Sequence, residues 1–163
     1  MIDTNVILLA GTMVKDVPND QLKCYQKCII FLNELMKQND SVLVDAEGRV
    51  ITEYKSHFRL IPYPNMADYF FRYAMSHSVF YHLEELSPNE YEYYPESPEL
   101  RAFDAPDRKF IALAYGYGNN TPIVEAADSK WWGIREEIRK TGIELIFIDE
   151  EYIKMKWEMK MGK

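Results

Sequence analysis

The chain has 163 residues, and its 19 lysines and arginines against 26 aspartates and glutamates give a formal net charge of −7. This length suits one domain, and 47% hydrophobic with 14% aromatic residues excludes an intrinsically disordered chain. No apolar run reaches the roughly 18–20 residues of a transmembrane helix, and no signal-peptide pattern begins the sequence. Two cysteines are too few for a disulfide scaffold. We therefore expect a reduced, cytoplasmic, single-domain protein with no membrane association, and the negative charge argues against non-specific binding to nucleic acid.

Helical periodicity dominates the first third of the chain. From Asn19 to Lys37 apolar residues recur on two adjacent stripes, which predicts a helix that is buried on two sides. The β-rich run from Ser41 to Asp45 predicts a short strand. A second helix follows and ends at Pro62. Its apolar positions are Val50, Tyr54 and Phe58.

Residues 62–103 are unusually aromatic, since they hold 11 of the 23 aromatic residues of the chain. Their start, Met66 to Ser76, is predicted to be helical, and the rest to be loop or irregular strand. Glutamates at 90, 92 and 96 alternate with tyrosines and would repel an RNA backbone, although exposed rings can stack on bases. We therefore favour core packing or a protein interface here, and an interface would suit a homodimer or an inhibitory partner.

Helices and strands alternate from Asp104 onward. We predict a helix, a strand, a helix and a strand over residues 104–115, 122–127, 128–140 and 143–148. The tail, residues 151–163, is predicted to be a final amphipathic helix or a frayed end. This order indicates an α/β protein with a mainly parallel sheet.

Several aspartates stand where strands end or helices begin. Asp3 follows the first short strand, Asp128 follows the strand over 122–127, and Asp107 lies in the first turn of a helix. Because the carboxyl ends of parallel strands face one crevice, we expect these three side chains to converge there. Clustered carboxylates repel one another unless cations neutralise them, and such oxygen-rich clusters suit Mg²⁺ or Mn²⁺.

Helix capping is the alternative explanation. Aspartate is a favoured N-cap residue, and the helix dipole stabilises a carboxylate there. Asp3, Asp104 and Asp128 each fit that role individually. Capping does not explain why several acids are placed so that a parallel sheet would bring them together.

Three segments of this chain resemble the PIN-domain nucleases. They are Asp3-Thr4-Asn5-Val6, Asp107-Arg108-Lys109-Phe110-Ile111-Ala112, and the strand end at Asp128. The resemblance covers residues 1–61 and about 102–150. It implies a PIN-like three-layer α/β/α fold with a mainly parallel central sheet over residues 1–150. The aromatic segment at about 62–103 would then be an insertion, and residues 151–163 a C-terminal helical tail.

The resemblance also implies a site and an activity. Many PIN domains are metal-dependent ribonucleases, including the toxins of toxin–antitoxin pairs. The acidic quartet carried over to this chain would bind Mg²⁺ or Mn²⁺ and catalyse the hydrolysis of RNA. Its members are Asp3, Glu53, Asp107 and Asp128. Thr4 and Asn5 would support it, and Glu47 is the fallback for Glu53.

This sequence departs from the family at Lys130, where a second acid often follows the last aspartate. A lysine at this position would weaken the binding of a second metal ion or would contact a phosphate group of the substrate. Lys109 is a further candidate for a phosphate contact. Other basic candidates for a phosphate track are Lys55, Arg59 and Arg108. Two alternatives to an endoribonuclease stay open, a non-catalytic PIN-like binding module and a nuclease of structured DNA. Retention of all four acids disfavours the module, because a module has no need of a repulsive cluster.

Overall fold

The structure, a computed structural model, describes residues 1–56, 64–118 and 120–162. Its α-helices are α1 (Thr4–Gly11), α2 (Leu22–Gln38), α3 (Arg49–Ser56), α4 (Met66–His77), α5 (Pro98–Arg101), α6 (Arg108–Tyr117), α7 (Ser129–Lys140) and α8 (Glu150–Lys160). Its strands are β1 (Val42–Asp45), β2 (Ser78–Tyr81), β3 (Glu85–Ser87), β4 (Glu90–Tyr91), β5 (Ile123–Glu125) and β6 (Leu145–Phe147). The predicted α/β class is confirmed. Phe58, Arg59 and Pro62 lie outside the described residues.

Parallel strands form two separate pairs. β1 pairs with β2, with Val42 opposite Ser78, and β5 pairs with β6, with Ile123 opposite Leu145. Ile2 extends the second pair through a parallel bridge to Val124. Helix α6 contacts both β1 and β5 and so links the two pairs. The predicted parallel pairing is therefore present, in two small sheets within the described residues.

The aromatic segment contributes a strand to these sheets, which the sequence did not predict. Residues 78–81 were expected to be loop or irregular strand, yet they form the regular parallel strand β2 beside β1. Their side chains show no alternation of buried and exposed positions, so the local pattern gave no period-two signal. The predicted helix over 66–76 is confirmed as α4. Phe70, Tyr91 and Phe103 are buried, so this segment packs into the core.

Local sequence sets the ends of several helices. The side chain of Asn65 accepts from the backbone N–H of Asp68 and the Asp68 carboxylate accepts in return, a capping box at the start of α4. Helix α2 ends at Asn39, which adopts the left-handed conformation with φ of 60°. The predicted C-terminal helix is confirmed as α8, whose Tyr152 and Ile153 are buried.

Two further expectations concern the thiols and the membrane. Cys24 and Cys28 are free and buried on α2, and the Cys24 thiol lies 3.4 Å from the carbonyl oxygen of Ala126. Across the described ranges of the chain, none of the helices combines the length and the apolar character needed to cross a bilayer.

Gly11 is expected to be essential for the contact between α1 and α4. A Cβ atom at Gly11 would lie 2.6 Å from the Cβ of Ala67, which is attached directly to the backbone and cannot swing away. Gly11→Ala should therefore lower the free energy of unfolding by about 1–3 kcal/mol, measured by urea denaturation. In a helix without this contact, the same change would stabilise by up to ~1 kcal/mol.

The double variant Gly11→Ala with Ala67→Gly serves as the control. Removing the Ala67 methyl group frees the space, so the two changes should cost less together than the sum of their separate costs. Strictly additive costs would contradict the contact.

Candidate metal centre

Asp3 is the most buried member of the acidic quartet. It directly follows the Ile2 bridge and caps α1, where its Oδ1 accepts from the backbone N–H of Asn5 at 2.8 Å and from Asn5 Nδ2 at 2.7 Å. Its side chain is buried, and its Oδ2 has no hydrogen-bond partner. Burial raises the pKa of Asp3 to about 6, although the bonds from Asn5 oppose this. Asn5 thus engages one oxygen of Asp3, and the other oxygen receives no hydrogen bond from Asn5.

Glu125 faces Asp3 from the last position of β5, and the sequence interpretation missed it. Its carboxylate is fully buried and lies within hydrogen-bonding reach of the Asp3 side chain. Burial, followed by the charge of Asp3, raises the pKa of Glu125 well above its usual value. The signal available in the sequence was a single charged residue inside the apolar run Ile123–Ala127.

Asp107 and Asp128 complete the cluster from two other elements. Asp128 caps α7, and its Oδ1 accepts from the backbone N–H of Lys130 at 3.0 Å. Asp107 immediately precedes α6. Its burial and the nearby charges of Asp3 and Asp128 raise the pKa of Asp107 to about 7. Capping and convergence therefore coexist here, since Asp3 and Asp128 cap helices and both carboxylates still lie close enough to Asp107 to raise its pKa.

Glu53 reaches the cluster from α3 and is held by two partners. The hydroxyl of Thr4 donates to Glu53 Oε1, and Lys109 Nζ lies 2.5 Å from Glu53 Oε2. The charge of Glu53 also contributes to the raised pKa of Asp3. The fallback residue Glu47 instead pairs with Arg49 and His82.

The two lysines of the site differ in exposure. The side chain of Lys109 is 8% exposed and also donates to the Pro106 carbonyl oxygen. Its ammonium group is therefore bound by groups of the protein itself. Lys130 is 43% exposed, pairs with Asp104 and lies 4.0 Å from Asp128. Lys130 is therefore better placed than Lys109 to contact a phosphate group.

The other basic candidates lie further from this chemistry. Arg108 donates to the carbonyl oxygens of Phe103 and Arg101, at 3.2 and 2.6 Å. Lys55 is exposed on α3. Arg59 lies outside the described residues.

The donor set of this cluster consists of carboxylate oxygens, which suit a hard divalent cation. Asp3 Oδ2 and Glu125 Oε2 are both buried, and neither has a hydrogen-bond partner. Within the part of the chain that the structure describes, no three acidic, histidine or cysteine side chains are grouped closely enough to hold a metal ion as they stand. The cluster thus offers two unsatisfied buried oxygens, with further carboxylates around them.

In comparisons with protein-family models, curated proteins and solved structures, nothing matches this chain.

A groove of about 490 Å³ lies at the opposite, amino-terminal ends of the strands. It is mainly apolar, and Val42, Val79 and Pro122 contribute to its lining. The buried carboxylates of the cluster do not line it. The groove and the acidic cluster are therefore separate features of the fold.

Proposed function

We propose that this protein is a divalent-metal-dependent endoribonuclease with a PIN-like three-layer α/β/α fold. The observation that carries the proposal is the buried carboxylate of Asp3, whose Oδ2 has no hydrogen-bond partner and lies among further carboxylates. Burying an ionised carboxylate without a partner is costly, and a bound cation would offset that cost. Asp107, Asp128 and Glu53 surround Asp3 from separate elements, as the PIN resemblance implies.

In this proposal Mg²⁺ or Mn²⁺ is held by Asp3, Asp107, Asp128 and Glu53. A bound divalent cation lowers the pKa of water and stabilises the negative charge of a phosphodiester under attack. The protein contributes the positions of the ligands. Asn5 orients Asp3, Thr4 orients Glu53, and the α7 N-terminus fixes Asp128.

Lys130 gives the site a contact for the substrate. Its ammonium group is half-exposed at the edge of the cluster, where a backbone phosphate of RNA can replace Asp104 as its partner. The cation and Lys130 would together supply positive charge at the site, which lets a chain with net charge −7 bind a phosphodiester there.

A non-catalytic binding module is the second candidate, and one observation favours it. Lys109 and Lys130 already pair with Glu53 and Asp104, so part of the acidic charge is neutralised without a metal. A toxin-like ribonuclease would in addition have an inhibitory protein partner, and a homodimer is the other assembly we consider.

Cleavage assays on a panel of labelled nucleic acids test the proposal. Purified protein is incubated with single-stranded RNA, single-stranded DNA and branched DNA, with Mn²⁺, with Mg²⁺, or with EDTA. We expect internal cleavage of RNA that requires the metal. Cleavage of branched DNA alone would identify a structure-specific DNA nuclease. If the protein neither cleaves nor binds Mn²⁺ in calorimetry, the nuclease proposal is wrong and the binding module stands.

Lys130→Met is expected to strengthen Mn²⁺ binding and weaken RNA binding. Removing one ammonium group near Asp128 removes a competitor of the cation, worth about 1 kcal/mol or roughly fivefold in affinity in a well-solvated site. The KM for RNA should rise because a phosphate contact is lost. Calorimetry with Mn²⁺ and steady-state kinetics measure the two effects.

Lys140→Met is the matched control for this prediction. Lys140 lies at the other end of α7 and pairs with Glu137 on the surface. Lys140→Met should change neither the affinity for Mn²⁺ nor the KM for RNA. Equal effects of the two variants would show that only net charge matters.

A further inference from the structure

Glu125 occupies a position where a charged residue is unexpected. It is the last residue of β5, between Val124 and Ala126, and all three are buried. A carboxylate in an apolar strand carries a desolvation penalty that a neutral residue avoids. Its two oxygens therefore need an explanation, and they have different surroundings.

The first oxygen, Oε1, holds the turn that presents Asp128. It accepts from the backbone N–H of Ala127 and from that of Asp128, each at 2.8 Å. These bonds fix the connection from β5 to α7. Glu125 thereby sets where the carboxylate of Asp128 enters the cluster.

The second oxygen, Oε2, is buried and has no hydrogen-bond partner, and the same is true of Asp3 Oδ2 opposite it. The lysines of the site are engaged elsewhere, Lys109 with Glu53 and Lys130 with Asp104. Two carboxylate oxygens this close share a proton or, when both groups are ionised, repel each other. A cation between them would relieve that repulsion.

We propose that Glu125 is a fifth acidic residue of the metal site. Its Oε1 positions Asp128, and its Oε2 joins Asp3 Oδ2 in binding the divalent cation. This inference rests on the proposed function and adds to it a ligand that the PIN resemblance did not supply.

Mn²⁺ binding to the full chain tests the inference without any substrate. Glu125→Gln keeps an amide oxygen that can accept from Ala127 and Asp128, but it removes the negative charge that faces Asp3. We expect the dissociation constant for Mn²⁺, measured by calorimetry and by electron paramagnetic resonance of free Mn²⁺, to rise by about 10- to 100-fold. In EDTA at pH 7.5 the Tm should stay the same or rise, because the glutamine amide can donate to the Asp3 carboxylate and carries no charge that could repel it.

Glu151→Gln provides the matched control, with the same change of charge on an exposed residue that pairs with Lys23. It should leave Mn²⁺ binding unchanged. Glu125→Asp keeps the charge but withdraws both oxygens by one carbon, so it should also weaken Mn²⁺ binding, and it replaces Glu125→Gln if that variant does not fold.

The outcomes separate this inference from the proposed function. If wild type binds Mn²⁺ and a folded Glu125 variant binds it equally well, Glu125 is not a ligand and the inference is overturned, while the nuclease proposal stands. If wild type itself does not bind Mn²⁺, the proposed function fails and the inference fails with it.

Discussion

Asp3→Asn is expected to reduce metal-dependent cleavage of RNA by about 100-fold or more while the protein remains folded. The change removes one negative charge and one potential ligand oxygen at the centre of the cluster. Asparagine is as good an N-cap as aspartate, and its Oδ1 can still accept from the backbone and side-chain N–H groups of Asn5. The loss should therefore come from the chemistry of the site, as measured by single-turnover cleavage in Mn²⁺.

Asp16→Asn is the control for this result. Asp16 is exposed in a short 3₁₀ turn, and it carries the same charge change away from the site. It should cleave at the wild-type rate. Full activity in folded Asp3→Asn would contradict the assignment of Asp3 as a ligand of the catalytic metal.

The metal-free protein is expected to lose stability, relative to Asp3→Asn, as pH rises from 5 to 8. Burial raises the pKa of Asp3 from its ordinary 3.8 to about 6, so the folded state retains this proton to a higher pH than the unfolded state does. The associated stability is present below about pH 4 and is lost as pH rises through about 6. Asp3→Asn should therefore be the more stable protein at pH 8, and the difference includes the coupled titration of Glu125 and Asp107, whose raised pKa values depend in part on the charge of Asp3.

Urea unfolding in EDTA at several pH values measures this difference. The buried N-terminal amine acts in the opposite direction, because burial lowers its pKa to about 5. That group is present in both proteins, so it cancels in the comparison. Adding Mn²⁺ at pH 8 should restore wild-type stability by mass action, and it should do less for Asp3→Asn. Parallel pH profiles for the two proteins would show that Asp3 ionises normally in the fold.

The parts of the site that the sequence predicts are those that depend on helix capping and on hydrophobic periodicity. Asp3 and Asp128 were expected at strand ends beside helix starts, and the structure places both there as N-caps. These are local properties, since a cap bonds to residues two or three positions away in the chain. Helices α2, α4 and α7 were predictable because helical periodicity is also a local property, whereas the sequence left the tail open between a helix and a frayed end.

Side-chain partners across long sequence separations were not predictable. Lys109 was expected to contact phosphate, yet its ammonium group lies against Glu53, 56 residues earlier in the chain. Glu125 was overlooked because its role depends on which groups cover each face of β5. Neither the contact of Lys109 with Glu53 nor that of Glu125 with Asp3 produces a periodic pattern in the sequence.

The sequence by itself therefore determined the main helices, the strands β1, β5 and β6, the α/β class, and the placement of Asp3 and Asp128 at strand ends. Tertiary structure alone decided that residues 78–81 pair with β1, that the parallel strands form two pairs, and that Glu125 faces Asp3. The physical reason is how far apart the interacting residues lie in the sequence. Hydrogen bonds of helices and caps join near neighbours, whereas strand pairing and the burial of a carboxylate depend on segments far apart in the chain.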